Sequence, residues 1–276
     1  MMPVSEFPKT LNCAHRGARS LAPENTLAAA RMGLECGADL WELDVAVTQD
    51  NELVILHDDT LLRTSNAPLV FPDREPWEVN TFSLAELRRL DFGSWFNTRD
   101  PFGQIAAGRV TPEMQASYVG MPIPTLAEAL LFTRDNNWRI NVEIKDASST
   151  PGDAFVVEKV VELIEALGMQ EQVLISSFNH SYLVRAKTAN PRLVTAALTE
   201  NEVSDALDLV RDLGAQAWNP GIYWLNPEEI PALRRAGIDV NVWTVNDADM
   251  MRTLIENAAS CIITDFPQVL AEVLAG

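Results

Sequence analysis

Two stretches of the 276-residue chain place carboxylates where a buried strand should carry only apolar side chains. In WELDVAV (41–47), Trp41, Leu43, Val45 and Val47 share one face and Glu42 and Asp44 the other, because side chains two apart on a strand point the same way. In RINVEIK (139–145), Ile140, Val142 and Ile144 oppose Asn141, Glu143 and Lys145. Strands of a parallel sheet covered on both faces read as near-continuous apolar runs. Two strands that aim acids inward therefore need a compensating cation. Oxygen donors of this kind suit a hard divalent ion, Mg2+ or Ca2+, rather than zinc, and do not choose between those two. An exposed edge strand would show the same alternation, an explanation that serves one strand better than both together.

The chain has three histidines. His15 closes a first strand, in CAHRGA, and His57 closes an extended piece, in VILHDD. Two imidazoles can take up a proton at one step and return it at another near neutral pH. Arg16 adds a planar fork that matches phosphate oxygens. His180, in FNHSYL, reads as a first-turn helix residue with a structural role. With 39 acidic and 21 basic residues the net charge is −18. An anionic substrate must then meet locally positive groups, which a divalent ion, Arg16 and Lys145 would supply.

The same acidity argues against a nucleic-acid partner and against docking on anionic lipid. Cys13, Cys36 and Cys261 are widely spaced and odd in number, with neither metal-ligand spacing nor a disulfide framework. The opening MMPVSEFPKT lacks the basic and apolar regions of a secretory signal. No apolar run approaches the roughly 18 residues of a membrane span. These features predict a cytoplasmic location with no stable membrane insertion; they leave the oligomeric state open.

Short apolar strands alternate with helical segments along the chain. LNCAH (11–15) reads as a strand and ENTLAAARMGLECG (24–37) as a helix that Asn25 or a neighbour caps and Gly37 stops. DLWELDVAV (39–47) and ELVILH (52–57) are extended, TLAEALLFTRDN (125–136) is a helix with Thr125 and Glu128 in capping-box spacing, and further pairs follow to the C-terminus. About eight strand-then-helix units predict an α/β protein, a TIM (β/α)8 barrel, over a doubly wound open sheet. No GxGxxG follows the first strand, which weakens the open-sheet alternative. Residues 66–124 break the rhythm, holding seven of sixteen prolines and eight of twenty aromatics, with LAELRRL (84–90) alone looking helical. Such an insertion is functional or mobile, or its aromatics simply pack it onto the barrel.

Residues 15–66, HRGARSLAPENTLAAARMGLECGADLWELDVAVTQDNELVILHDDTLLRTSN, resemble the signature of the glycerophosphodiester phosphodiesterase family. VEIK (142–145), SSF (176–178), VWTVN (242–246) and TDFP (264–267) resemble its later landmarks, in order along nearly the whole chain. Asn51 stands where the family usually has glycine, and Asn66–Ala67 where it often has Asn-Gly; asparagine tolerates a left-handed turn. The resemblance implies one barrel domain over residues 1–276 with a subdomain of about residues 60–122 inserted after the second strand. It implies hydrolysis of glycerophosphodiesters to sn-glycerol 3-phosphate and an alcohol, with one divalent cation on Glu42, Asp44 and Glu143. Arg16 and Lys145 would hold phosphate oxygens. The glycerol 2-hydroxyl would attack phosphorus to give a cyclic phosphate that water opens. One histidine would accept the hydroxyl proton and the other protonate the leaving alcohol; either order fits the sequence, and we assign His15 as base and His57 as acid, with the roles exchanged in the second step.

Glu24 and Asn25, in PENT, are candidates for supporting the site or touching glycerol, with helix capping the alternative for Asn25. Phe178 and Trp243 are candidates to wall the glycerol pocket, with barrel-end packing the alternative. Asp265 is expected to cap the last helix, since Pro267 follows at a helix start. Two other activities compete. A phospholipase D-like relative acting on lysophospholipids predicts an apolar groove made by the 66–124 aromatics. A non-catalytic binder of glycerol phosphate or metal predicts binding without turnover.

Overall fold

The computed structural model describes residues 7–276; part of the MMPVSEFPKT segment, on which the absence of a signal was argued, lies outside them. In chain order the elements are β1 (Leu11–Ala14), α1 (Leu27–Glu35), β2 (Leu40–Val47), β3 (Leu53–Ile55), α2 (Ala67–Val70), α3 (Leu84–Leu87), α4 (Ser94–Arg99), α5 (Pro112–Tyr118), α6 (Leu126–Asp135) and β4 (Arg139–Ile144). There follow α7 (Val156–Ala166), β5 (Val173–Ser177), α8 (His180–Ala189), β6 (Val194–Thr199), α9 (Ala206–Asp212), β7 (Ala217–Pro220), α10 (Ile230–Arg235), β8 (Asp239–Val242), α11 (Ala248–Glu256), β9 (Cys261–Thr264) and α12 (Pro267–Ala275). The strand order is β1-β9-β8-β7-β6-β5-β4-β2-β3, and β1 also pairs with β2. Eight parallel strands thus close into the (β/α)8 barrel that the alternation predicts, with β3 hung antiparallel on the outer part of β2.

Barrel closure removes the edge-strand explanation. β2 lies between β1 and β4, and β4 between β2 and β5. The apolar faces of both strands look outward to the helices: Trp41, Leu43, Val45, Ile140, Val142 and Ile144 pack in one cluster with Leu126, Leu130, Val157 and Val160. Trp41 is fully buried, stacks on Trp138 with ring centroids 6.2 Å apart, and donates its indole N–H to Thr133 Oγ1 at 2.9 Å. The polar faces are thereby turned into the barrel.

Helix starts follow local side-chain chemistry. Thr125 and Glu128 form the expected capping box on α6, and Ser83 and Glu86 form another on α3. Thr26 caps α1, so the helix begins after Asn25, not at Glu24, and capping is not the role of Asn25. The segment after β3 differs from its reading: four short helices, α2 to α5, occupy it, not one. Its aromatics turn inward. Phe82, Phe92, Phe96 and Tyr118 are buried, Phe71, Trp77, Trp95 and Phe102 half-buried, and Phe71 meets Phe82 edge-to-face at 5.3 Å. The segment therefore offers no row of exposed aromatics for an acyl chain.

Candidate active site

The turn after β1 is built around glycine. Arg16 takes a left-handed φ of 55° and Gly17 one of 78°. A Cβ on Gly17 would lie 2.4 Å from the Ala29 carbonyl carbon of α1, so no other residue fits the HRG turn. The turn sets His15 and Arg16 on the C-terminal rim. The Arg16 amide donates to Glu42 Oε2 at 2.9 Å, tying the turn to β2. PENT then divides its labour. Asn25 (φ 56°) donates through Nδ2 to Asp44 Oδ2 at 2.8 Å, Thr26 caps α1, and Glu24 accepts from Arg16 Nη1 at 2.8 Å.

Register brings the acids together. Glu42 lies opposite Asn141 and Asp44 opposite Glu143 across the β2–β4 ladder. Carboxylate oxygens of Glu42, Asp44 and Glu143 all lie within 4.8 Å of one another, and all three residues are buried. They could hold a metal ion. Their donor chemistry fits one: Glu42 Oε1 is buried without any hydrogen-bond partner, and all the candidate ligands are oxygens. Lys145, just past β4, places Nζ 2.9 Å from Glu143 Oε1 and 3.9 Å from Asp44 Oδ1, while Arg16 Nε lies 3.3 Å from Asp44 Oδ2. Burial, then the charges of Asp44 and Glu143, push the Glu42 carboxyl well above the usual range. Burial also raises Asp44, but the charges of Arg16, His57 and Lys145 outweigh it and hold that carboxyl below its ordinary value.

Both site histidines are held by an aspartate through Nδ1. His15 Nδ1 lies 2.6 Å from Asp265 Oδ1, and His57 Nδ1 lies 2.7 Å from Asp58 Oδ1. A carboxylate there fixes the proton on Nδ1 and leaves Nε2 free; His15 Nε2 faces Glu42 Oε2 at 4.0 Å. Burial, then the Arg16 charge, lower the His15 pKa against the opposing bond to Asp265. His57 reaches the site by an unexpected route. It follows β3, which runs antiparallel to β2, and the Leu56 amide donates to the Asp44 carbonyl at 3.0 Å. Barrel sites gather at the C-terminal ends of the parallel strands; β3 is not one of these, and His57 reaches that rim because β3 runs back along β2.

His15, Arg16, Glu42, His57, Asn141 and Glu143 line one cleft. Its apolar wall includes Phe178 and Trp243, which meet edge-to-face at 5.5 Å. Trp243 donates its indole N–H to the Asn219 carbonyl at 2.8 Å, so it both packs the rim and faces the cleft. His180 stands outside, its Nε2 bonded to the Leu198 carbonyl at 2.9 Å. A larger cavity of about 380 Å3 opens at the N-terminal ends of the strands, beside Leu11, Leu40, Val173 and Val194. Neither histidine lines it, and barrel chemistry belongs to the opposite rim.

Asp265 is a correction. The last helix has no side-chain cap; Phe266 holds the cap position and Asp265 is spent on His15 and on Asn246 Nδ2, 2.8 Å away. Asp58, Arg19 and Arg63 also belong to the site and were not singled out as site residues. Arg63 bonds Asp58 through Nε at 2.6 Å and Nη2 at 2.8 Å. Both lie inside HDDTLLRT, so the signal for them was an acid next to a candidate histidine and a guanidinium one turn on.

Fold and site together define a (β/α)8-barrel hydrolase with room for a cation among buried acids. The profile of the glycerophosphoryl diester phosphodiesterase family matches residues 15–269, and the chain belongs to that family. It is 32% identical over 263 residues to a glycerophosphodiester phosphodiesterase of Caldanaerobacter subterraneus, covering 95% of this chain and 96% of that protein. It is 30% identical to one of Bacillus subtilis, over 97% of this chain and 87% of the relative. The structure of an Oleispira antarctica phosphodiesterase in complex with the product sn-glycerol-3-phosphate superposes with a TM-score of 0.81 at 26% identity, covering 99% of this chain and 98% of that one. A glycerophosphodiester phosphodiesterase from Agrobacterium tumefaciens gives 0.72 at 25% identity, covering 95% and 99%.

Proposed function

We propose that the chain is a metal-dependent, two-histidine glycerophosphodiesterase that releases sn-glycerol 3-phosphate and an alcohol. The observation that carries this reading is the convergence of Glu42, Asp44 and Glu143 within 4.8 Å, with a buried, unpartnered Glu42 oxygen, between two aspartate-held imidazoles. The product in the Oleispira relative's structure supports the glycerol phosphate half of the substrate. The domain is the whole barrel, with about residues 60–122 as its insertion.

Glu42, Asp44 and Glu143 would hold one divalent cation, Mg2+ or Ca2+, which when bound offsets charge developing on the phosphoryl oxygens. Arg16 and Lys145 add fixed positive charge on the same side. Phe178 and Trp243 pack the glycerol carbons and keep water from that wall. In the first step His15 Nε2 accepts the proton of the glycerol 2-hydroxyl as its oxygen bonds to phosphorus. His57 Nε2 gives a proton to the departing alcohol oxygen, leaving a cyclic phosphate. In the second step the roles exchange: His57 accepts a proton from the attacking water, and His15 returns one to the 2-oxygen. Asn25 and Glu24 support this set from behind, Asn25 by holding Asp44 and Glu24 by holding Arg16.

No helix of the described residues is long and apolar enough to cross a membrane. With Cys13, Cys36 and Cys261 all unpaired among the described residues, the reading places the enzyme in a reducing cytoplasm, acting in glycerol and lipid turnover on small diesters. The test is glycerophosphocholine with Mg2+ or Ca2+, following glycerol 3-phosphate release, with lysophosphatidylcholine alongside. Turnover of the deacylated diester that stops on chelation is expected. Preference for the acylated substrate would favour the lysophospholipid reading, and binding without turnover across a metal panel would make the chain a binder.

A further inference from the structure

Behind the cleft one carboxylate serves three guanidiniums. Glu24 is 5% exposed. Its Oε1 accepts from Arg16 Nη1 and Arg63 Nη2, each at 2.8 Å, and its Oε2 from Arg63 Nη1 at 2.8 Å, while Arg19 Nη2 forms an ion pair with Oε2 at 2.9 Å. Each arginine continues to a different acid of the site. Arg63 turns a second edge to Asp58, binding it through Nε and Nη2, and Asp58 holds His57. Arg19 places Nη1 3.6 Å from Asp265 Oδ1, and Asp265 holds His15. Arg16 places Nε 3.3 Å from Asp44.

We propose that Glu24 is a positioning residue that sets both imidazoles at once, through Arg63 and Asp58 on one side and Arg19 and Asp265 on the other. The inference deepens the two-histidine reading and rests on it. A carboxylate that accepts from an imidazole Nδ1–H can rotate about its own side-chain bonds unless something else grips it. The Arg63 fork grips Asp58 in a plane, and the Arg19 charge, 3.6 Å from Asp265 Oδ1, draws that carboxylate as an ion pair without a hydrogen bond. The forks in turn need an anchor: three cations packed side by side repel, and one shared, buried anion fixes their spacing. Glu24 is that anchor, with guanidinium nitrogens 2.8–2.9 Å from both of its oxygens. Arg63 divides Nε and both terminal nitrogens between Asp58 and Glu24. The two proton-transferring groups are then held in one frame, so both stay in place across two steps that exchange their roles.

The chain has three histidines, so their ring N–H signals are separable by nuclear magnetic resonance, and His180, bonded only to Leu198, is an internal control. In Glu24→Gln the kcat for glycerophosphocholine should fall by about 10–100-fold with KM changed by less than about threefold. The downfield Nδ1–H signals of His15 and His57 should both shift or vanish, and the His180 signal should stay. In Arg63→Gln the His57 signal should be lost and that of His15 kept. Should Glu24→Gln not fold, Arg63→Gln and Arg19→Gln carry the test, since each should disturb only its own histidine. The proposal is overturned if Glu24→Gln keeps kcat within about twofold, if kcat falls while both signals stay, or if Arg63→Gln and Arg19→Gln disturb neither histidine. His15→Ala and His57→Ala, assayed beside these, report on the underlying reading separately: wild-type turnover in either one ends the two-histidine mechanism whatever the Glu24 variants show.

Discussion

Adding Mg2+ or Ca2+ to metal-free protein should raise its melting temperature, and Glu42→Gln should abolish that shift without lowering the metal-free melting temperature. The reasoning starts from spacing. Two carboxylate charges at the 4.8 Å limit of the cluster repel by roughly 3–4 kcal/mol at an effective dielectric of about 20. Lys145 beside Glu143 and Arg16 beside Asp44 offset two of the three charges. Glu42 is left with a backbone amide and an imidazole 4.0 Å away, and burial and the charges of Asp44 and Glu143 push its carboxyl pKa up. Glutamine keeps the shape of the acid without its charge and can still accept from the Arg16 amide. Removing the charge therefore costs the metal-free fold little. A cation at 100 times its dissociation constant stabilises the folded state by about 2.7 kcal/mol. For a chain of this size that is a rise of about 5 °C, at roughly 2 °C per kcal/mol. Differential scanning fluorimetry on wild type and Glu42→Gln, with chelator and with each cation, measures it. An undiminished shift in Glu42→Gln would refute the ligand assignment. A metal-free loss above about 2 kcal/mol would refute the view that Glu42 is an unpaired acid awaiting a cation.

Other consequences are smaller in compass. His15→Ala and His57→Ala should each lower kcat by about 10²–10⁴-fold, the usual worth of one acid-base group, in an assay of glycerol 3-phosphate release; loss in only one of them would leave a single-histidine reaction. Asp58 is pushed up by burial, but hydrogen bonds from His57 and Arg63 outweigh this and hold it well below the carboxylate range. Its folded pKa is thus below its unfolded value of about 3.9, so its contribution is present above about pH 4 and lost as pH falls through the folded value. Asp58→Asn should cost roughly 1–3 kcal/mol at pH 7, with the gap to wild type narrowing in urea melts near pH 3; a gap independent of pH would contradict the assignment. Gly17→Ala combines a left-handed φ of 78° with a 2.4 Å clash against α1 and should cost roughly 2–5 kcal/mol, read from denaturant midpoints.

The difference between what could be read along the chain and what could not follows from the range over which each contact is set. Glu42 with Asp44, and Asn141 with Glu143, are pairs two residues apart on one strand, and strand parity alone turns them to one side. That the two strands are neighbours followed from alternation, since consecutive units of a barrel pair. Asn51 behaves as its left-handed turn requires, with φ 65°. His57 closes an extended piece, and barrel sites lie at C-terminal strand ends. It lines the cleft for another reason: β3 starts beyond the rim and runs back beside Asp44. Of the four short helices after β3 only α3, inside LAELRRL, shows in the sequence; α2, α4 and α5 do not, because four to seven residues give too few turns for an apolar period to show.

The role of Asp265 is not legible from its own neighbourhood, and the reason lies in the closure of the barrel. Next to Phe266 and Pro267 an aspartate at a helix start has a sufficient local explanation, and nothing nearby contradicts it. Its partner, His15, is 250 positions away. In an open sheet the first and last strands need never meet. In a closed one β1 and β9 share a ladder, and the His15 amide donates to the Thr264 carbonyl at 3.0 Å. That single bond carries His15 up beside the residue that follows Thr264. Once a barrel is inferred, the residues just past the first and last strands become neighbours by topology. An acid at one of those positions and a histidine at the other should then be tested as a pair before either is assigned to its own helix.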